Sequence, residues 1–168
     1  MRSGRKDGYS MNIDTIIKTL CLEKHPEGGF FREIYRSAHS IGENNGVRTL
    51  STSIYYLLRS GDVSRFHRLK SDELWYYHAG SSITIYSIDP AGTLHEWKLG
   101  INLEEGDRPQ IIIPAGHIFG ASVRDENSFS LIGCMVSPGF DFRDFELMER
   151  ERLLSLFPGQ KLIIEKLT

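Results

Sequence analysis

A chain of 168 residues, 40% hydrophobic and 25% charged, has the size and composition of one folded domain, and burial of roughly 70% of its unfolded surface is expected. Its 20 basic and 22 acidic residues leave a net charge of -2, which gives no general attraction to nucleic acid or to anionic membrane and sets those partners aside. Two cysteines, Cys21 and Cys134, are too few for a disulfide framework and sit among apolar neighbours, so both are expected as buried thiols of a cytoplasmic protein; no run approaches the ~20 apolar residues of a membrane span.

Residues 1–10 are polar, without the apolar stretch of a signal peptide, and are expected to form a flexible tail ahead of a domain over 11–168. Ile13, Ile16, Ile17 and Leu20 have helical spacing, so Asn12 to Leu22 is predicted as a helix capped by Asn12 or Asp14 and ended by Pro26 and Gly28-Gly29. From there the pattern shortens. Strands are predicted at Phe30–Ser37, Thr49–Arg59, Ser64–Leu69, Leu74–His78, Ser82–Ile88, Thr93–Leu99, Gln110–Ile113, Ile118–Val123 and Ser128–Val136. Turn residues such as Ser60-Gly61, Asp89-Pro90-Ala91-Gly92 and Asp125-Glu126-Asn127 separate them. Phe145, Leu147, Met148 and Leu153-Leu154 predict a helix over Asp144–Phe157, and Lys161–Leu167 reads as a last short strand. Many short strands at this spacing predict an all-β sandwich or barrel with a helix near each end.

The segment from Gly61 to Gly80 carries the densest chemistry. Period-two alternation puts His67 and Leu69 on one face of a strand, and Glu73, Trp75 and Tyr77 on one face of the next. With both faces turned into a barrel, an imidazole and a carboxylate meet in an aromatic pocket. They then serve either as metal ligands or as a proton-transfer pair.

Gly61, His67, Glu73 and Gly80 stand at the spacing of the first cupin motif, and Pro114-Ala-Gly116 at that of the second. Leu69 and Phe119 occupy two positions that are histidine in the metal-binding pattern. Four further blocks, His25–Ser37, Ser53–Leu58, Ser64–Trp75 and Gly133–Phe142, resemble the DUF985 branch of the cupins, also called Cupin_5, over roughly Ile13 to Leu154. The resemblance implies a double-stranded β-helix, the cupin jelly roll, related to the RmlC-type sugar-nucleotide epimerases and to storage cupins. It also implies a homodimer, for which Phe30–Ser37 is a candidate element of exchange between subunits.

Function is a separate question from fold. His67 and Glu73 are the catalytic candidates, with Tyr77 as a third by its face; epimerases of the resembling type use a histidine to take a proton from a carbon beside a carbonyl. Arg48 and Arg65 flank strands leading into the motif and suit a phosphate, since a guanidinium pairs bidentately with it. Trp75, Phe30 and Phe119 offer stacking surfaces, while Ser53, Tyr55 and His117 are further ligand contacts. Glu27, with Gly28 and Gly29, suits a pocket edge where backbone approaches a ligand. Three functions stay open. The first, a pocket for a nucleoside diphosphate or nucleotide sugar with or without epimerase activity, needs no metal. The second is a metal-dependent, dioxygenase-like cupin using a divalent ion on His67, Glu73 and His117. The third is a storage-like scaffold without turnover.

Overall fold

The structure is a computed structural model that describes residues 12–43 and 46–168. The predicted tail at 1–10 lies outside the described residues. In chain order the elements are α1 (Ile13–Thr19), β1 (Glu23–Lys24), β2 (Phe30–Arg36), β3 (Ser40–Glu43), β4 (Gly46–Thr49), β5 (Thr52–Arg59), β6 (Val63–Arg68), β7 (Asp72–Gly80), β8 (Ile83–Ile88) and β9 (Leu94–Leu99). They continue with β10 (Gln110–Ile113), β11 (Ile118–Val123), β12 (Phe129–Ser137), β13 (Glu146–Leu147), α2 (Arg150–Leu156) and α3 (Lys161–Lys166). Among the described residues no helix is long and apolar enough to cross a membrane.

Two antiparallel sheets face each other, with strand orders β1-β2-β5-β12-β7-β10 and β13-β6-β11-β8-β9, and β3-β4 form a separate hairpin. This is the jelly roll that the family resemblance implies, and it fits the sandwich or barrel expected from the strand pattern. Each strand presents alternate side chains inward. Tyr56 and Leu58 from β5, Trp75 from β7, Ile132 and Cys134 from β12, Ile83 and Ile85 from β8, and Phe119 and Ala121 from β11 meet as the main core. The helices cover the outer faces. Ile16 of α1 packs with Leu57 and Phe129 on the larger sheet. Leu153 of α2 and Ile164 of α3 pack with Phe66, Ile88 and Ile118 on the smaller one.

Local expectations hold where the signal is local. Asn12 caps α1, its Oδ1 accepting from the Asp14 and Thr15 amides at 2.8 and 3.3 Å. Four expectations change. The run Thr49–Arg59 is not one strand: the chain leaves the hairpin at Thr49 and enters β5 at Thr52, because the Leu50 amide donates to the His39 carbonyl and the Ser37 amide to that of Ser51. Lys161–Lys166 is helical, not a strand. Ile164 and Leu167, three apart, reach the same cluster while Leu162 stays exposed, which is a helical stripe. The preceding helix starts at Arg150 instead of Asp144, since Glu146 and Leu147 pair with Arg68 and His67 as β13. Cys134 is buried, but Cys21 is exposed at the end of α1 in the left-handed region, φ 51°.

Of the register shifts in the sheets, two reset side chains near the site. In β2 the register against β5 shifts between Glu33 and Tyr35. In the β6–β11 pairing it shifts between Phe119 and Ala121, so that Arg65 and Phe66 oppose Gly120. Each bulge puts two side chains an odd number apart on one face: Glu33 with Arg36, and Ser64 with His67.

Candidate functional site

A cavity of about 310 Å³ opens between the sheets at one end of the barrel. Its buried end is formed by Tyr56 of β5, Glu73 of β7, Cys134 of β12 and His67 of β6, all under a tenth exposed. Its walls are apolar and largely aromatic: Phe31, Ile54, Val136, Phe140 and Phe145. Its mouth carries Glu33, Arg36, Asp141 and Phe142. Volume, aromatic walls and a few converging polar groups are the attributes of a small-molecule site.

The polar group at its centre is built by the His25–Gly29 turn docking on β6. The Arg65 amide donates to the Glu27 carbonyl at 2.9 Å, and the Tyr56 hydroxyl donates to the Gly28 carbonyl at 2.9 Å. Glu27 is thereby held inside at 6% exposure. Its Oε1 accepts from the Ser64 hydroxyl at 2.8 Å, and its Oε2 lies 3.2 Å from His67 Nε2 and 3.6 Å from His25 Nδ1. His67 Nδ1 is 2.7 Å from the Arg65 carbonyl. A carbonyl only accepts, so Nδ1 carries a hydrogen. Nε2 is therefore the ring nitrogen left to face the Glu27 carboxyl. Phe119 lies against the imidazole on one side, ring centres 4.2 Å apart, and Phe145 on the other at 5.4 Å. Burial lowers the basicity of His25, with Glu27 opposing that and His67 adding to it.

Glu73 differs from Glu27 in having no charged partner. Burial first, then the neighbouring Glu27 charge, push its carboxyl up to about 8, against a weaker downward pull from Trp75 and Cys134. Its Oε2 makes no hydrogen bond, and neither does the buried Trp75 Nε1. Burial likewise pushes the Cys134 thiol well up, so this cysteine is not a thiolate nucleophile.

The structure brings together only some of the residues singled out from sequence. His67, Glu73 and Glu27 line the cavity. Trp75 and Phe119 sit behind the lining, 1% exposed, their rings edge-on at 6.3 Å. Tyr77 shares a face of β7 with Glu73 but stands toward its other end, where its hydroxyl donates to the Gly80 carbonyl. Phe30 faces away from the cavity, packing near α1 under the Arg59 guanidinium. Ser53 and Tyr55 alternate outward while Thr52, Ile54 and Tyr56 turn in. Arg48 is buried against Asp144, Nε at 3.0 Å, and pins the hairpin beside the mouth. Arg65 donates to the Pro26 carbonyl and fastens the His25–Gly29 turn. Gly28 and Gly29 let that turn approach protein, not ligand: Cβ atoms there would lie 2.1 Å from the Val63 carbonyl oxygen and 2.6 Å from that of Leu57. His117 lies beyond Phe119, its Nδ1 2.7 Å from the Ser87 hydroxyl, and is no part of the lining.

Sequence reasoning missed His25, Phe31, Tyr56 and the stretch Phe140–Phe145. Phe30-Phe31 and Tyr55-Tyr56 are pairs of like residues, so alternation alone does not say which member turns inward.

The motif positions do not fit a bound metal ion. Leu69 and Phe119 present carbon, and His67 Nε2 is engaged by Glu27. Among the described residues no group of three or more His, Cys, Asp or Glu side chains is arranged to hold a metal.

A family model described as Cupin_5, cupin superfamily (DUF985), matches residues 14–148. An uncharacterized protein from Saccharomyces cerevisiae is 30% identical over 173 residues, an alignment covering 92% of this chain and 84% of that one. A crystal structure of a protein from Shewanella oneidensis is 51% identical with a TM-score of 0.89, over 94% of this chain and 98% of that one. Oxalate decarboxylase from Bacillus subtilis shares the fold alone, at 16% identity and a TM-score of 0.55, over 86% of this chain and 36% of its own.

Proposed function

Starting from a chain that belongs to the Cupin_5 (DUF985) family of the cupin superfamily, we propose that it binds one small, uncharged, polar molecule between its sheets and moves a proton at it through Glu27 and His67. The observation that carries this reading is the pair itself: a carboxyl and an imidazole 3.2 Å apart in a buried aromatic cavity. Such a pair is a general base of the kind that takes a proton from carbon beside a carbonyl. The reaction class is therefore epimerisation or isomerisation, as in the RmlC-type enzymes.

The lining argues against placing a diphosphate inside. Among its described residues Arg36 is the one guanidinium, and Glu33 already holds it through bonds of 2.9 and 2.6 Å. Asp141 adds negative charge at the same mouth. A nucleotide is thus a weaker candidate than a sugar-sized neutral molecule.

The test is a thermal-shift screen of the purified protein with unphosphorylated sugars and small hydroxycarbonyls beside nucleotides and divalent metals. A ligand present at 100 times its Kd adds about 2.7 kcal/mol of stability. Stabilisation by a neutral sugar-sized compound, lost in His67→Gln, is the expected result. Stabilisation by nucleotides alone sinks the ligand class, and stabilisation by a metal alone sinks the metal-free reading.

We also propose a homodimer formed along β2. Beyond its first two residues the outer edge of β2 is unpaired by β1, and Ile34 and Tyr35 on it are about half exposed, as Val47 of the hairpin is exposed too.

A further inference from the structure

We infer that Glu73 keeps its proton and donates it to a carbonyl oxygen at the buried end of the cavity, so that the ligand is an unphosphorylated α-hydroxy aldehyde or ketone. The inference rests on the proposed proton transfer through Glu27 and His67 and adds the second group that this reaction lacks.

Three observations carry it. Glu73 is 7% exposed and lines the cavity, yet its Oε2 has no hydrogen-bond partner. A buried carboxyl oxygen left unpaired costs on the order of 1–3 kcal/mol, so such a group calls for a partner that arrives later. Next, the Trp75 Nε1 hydrogen, two residues along the same strand face, makes no hydrogen bond of normal geometry, although the indole is close enough to draw the Glu73 carboxyl down. Finally, the setting of Glu73 favours the neutral acid: its cross-strand partners are Val136 and Ile113, and burial together with the like charge of Glu27 outweighs the opposing pull of Trp75 and Cys134. A protonated carboxyl is a donor, and in a cavity with a base on the opposite sheet a donor belongs on the oxygen that gains charge as carbon loses its proton.

The step balances without a co-reactant. The Glu27–His67 pair removes hydrogen from the carbon beside the carbonyl. The C–H electron pair becomes the C=C bond, the carbonyl π pair moves onto oxygen, and that oxygen takes the Glu73 proton. The product is a neutral enediol, with Glu73 now ionised. Return of the proton to the neighbouring carbon gives the isomer, with Glu73 recovering its proton from the other hydroxyl. Nothing is oxidised or reduced overall. The absence of phosphate from the ligand follows from the pairing of Arg36 with Glu33.

Two measurements on the full chain test the inference. The infrared spectrum of the wild-type protein at neutral pH should contain the C=O band of a protonated carboxyl, and Glu73→Gln should remove it. The wild-type band stands even if the variant does not fold. Its absence overturns the assignment of Glu73 whatever becomes of the Glu27–His67 reading. Glycolaldehyde, dihydroxyacetone and the common aldohexoses should then be incubated with the protein in D2O and followed by proton NMR. The expected result is deuterium entering the carbon beside the carbonyl, slowed at least 100-fold in Glu73→Gln and abolished in His67→Gln. Exchange at the wild-type rate in Glu73→Gln overturns Glu73 as the donor and leaves the base in place. No exchange of any probe by the wild type overturns the substrate class.

Discussion

At the scale of residues, two carboxyls lining one cavity are set to opposite tasks by their partners. Glu27 is ringed by Ser64, His67 and His25, and Glu73 by apolar side chains and an unpaired indole. That contrast has a signature in stability against pH. Glu73 has an ordinary value of 4.5 when unfolded and is raised to about 8 in the fold. Between those values the folded state keeps a proton that the unfolded state has released, so stability falls as pH rises, by up to about 1.4 kcal/mol per pH unit. The contribution is whole below the unfolded value and lost once pH passes the folded one. Urea unfolding across this window should therefore show Glu73→Gln gaining on the wild type by a few kcal/mol, with parallel curves sinking the idea. His25, lowered by burial, acts with the reverse sign: its share is present above the ordinary 6.5 and is lost as pH falls below it.

At the scale of elements, the site depends on backbone packed closer than side chains allow. Gly28 adopts φ +120°, and a Cβ there would meet the Val63 carbonyl oxygen at 2.1 Å. Gly28→Ala should lose at least about 2 kcal/mol from strain and clash together, and should also lose ligand-dependent stabilisation, because the turn carries Glu27 onto His67. Gly116 is the control. It also has positive φ, +81°, but a Cβ there meets nothing within 4 Å. Gly116→Ala should lose only about 1 kcal/mol and leave ligand binding alone. Equal losses in the two variants would mean that close approach of the turn to β6 is not what holds the site. The bulge opposite Gly120 works in the same way: a Cβ would sit 2.6 Å from the Ser64 carbonyl oxygen, so glycine is what lets Ser64 and His67 share a face.

For the whole molecule, the two sheets hold the base on one side and Glu73 on the other. Ile85 and Ile132 pack between the sheets, while Phe66 and Leu153 pack on the outer face of the smaller one. The proposed dimer edge, β2, is the same strand that supplies Phe31, Glu33 and Arg36 to the cavity. Light scattering after size exclusion should give twice the chain mass, and Ile34→Glu combined with Val47→Glu should give a monomer that still unfolds cooperatively. A monomeric wild type ends that proposal.

Sequence alone determined the class of fold, because alternation of apolar residues and the turn residues between runs are local signals. It also placed His67 and Glu73 inward, since period two runs unbroken along Glu73–Trp75–Tyr77 and through His67–Leu69. Tertiary structure decided the rest. Tyr56 and Phe31, not Tyr55 and Phe30, face the cavity, because pairing with neighbouring strands sets which of two aromatic neighbours turns in. Glu27 reaches His67 because the His25–Gly29 turn docks on a strand nearly 40 residues away in sequence, through contacts that no local pattern encodes. Arg36 and Ser64 reach the cavity face through bulges, where one extra residue reverses the alternation beyond it.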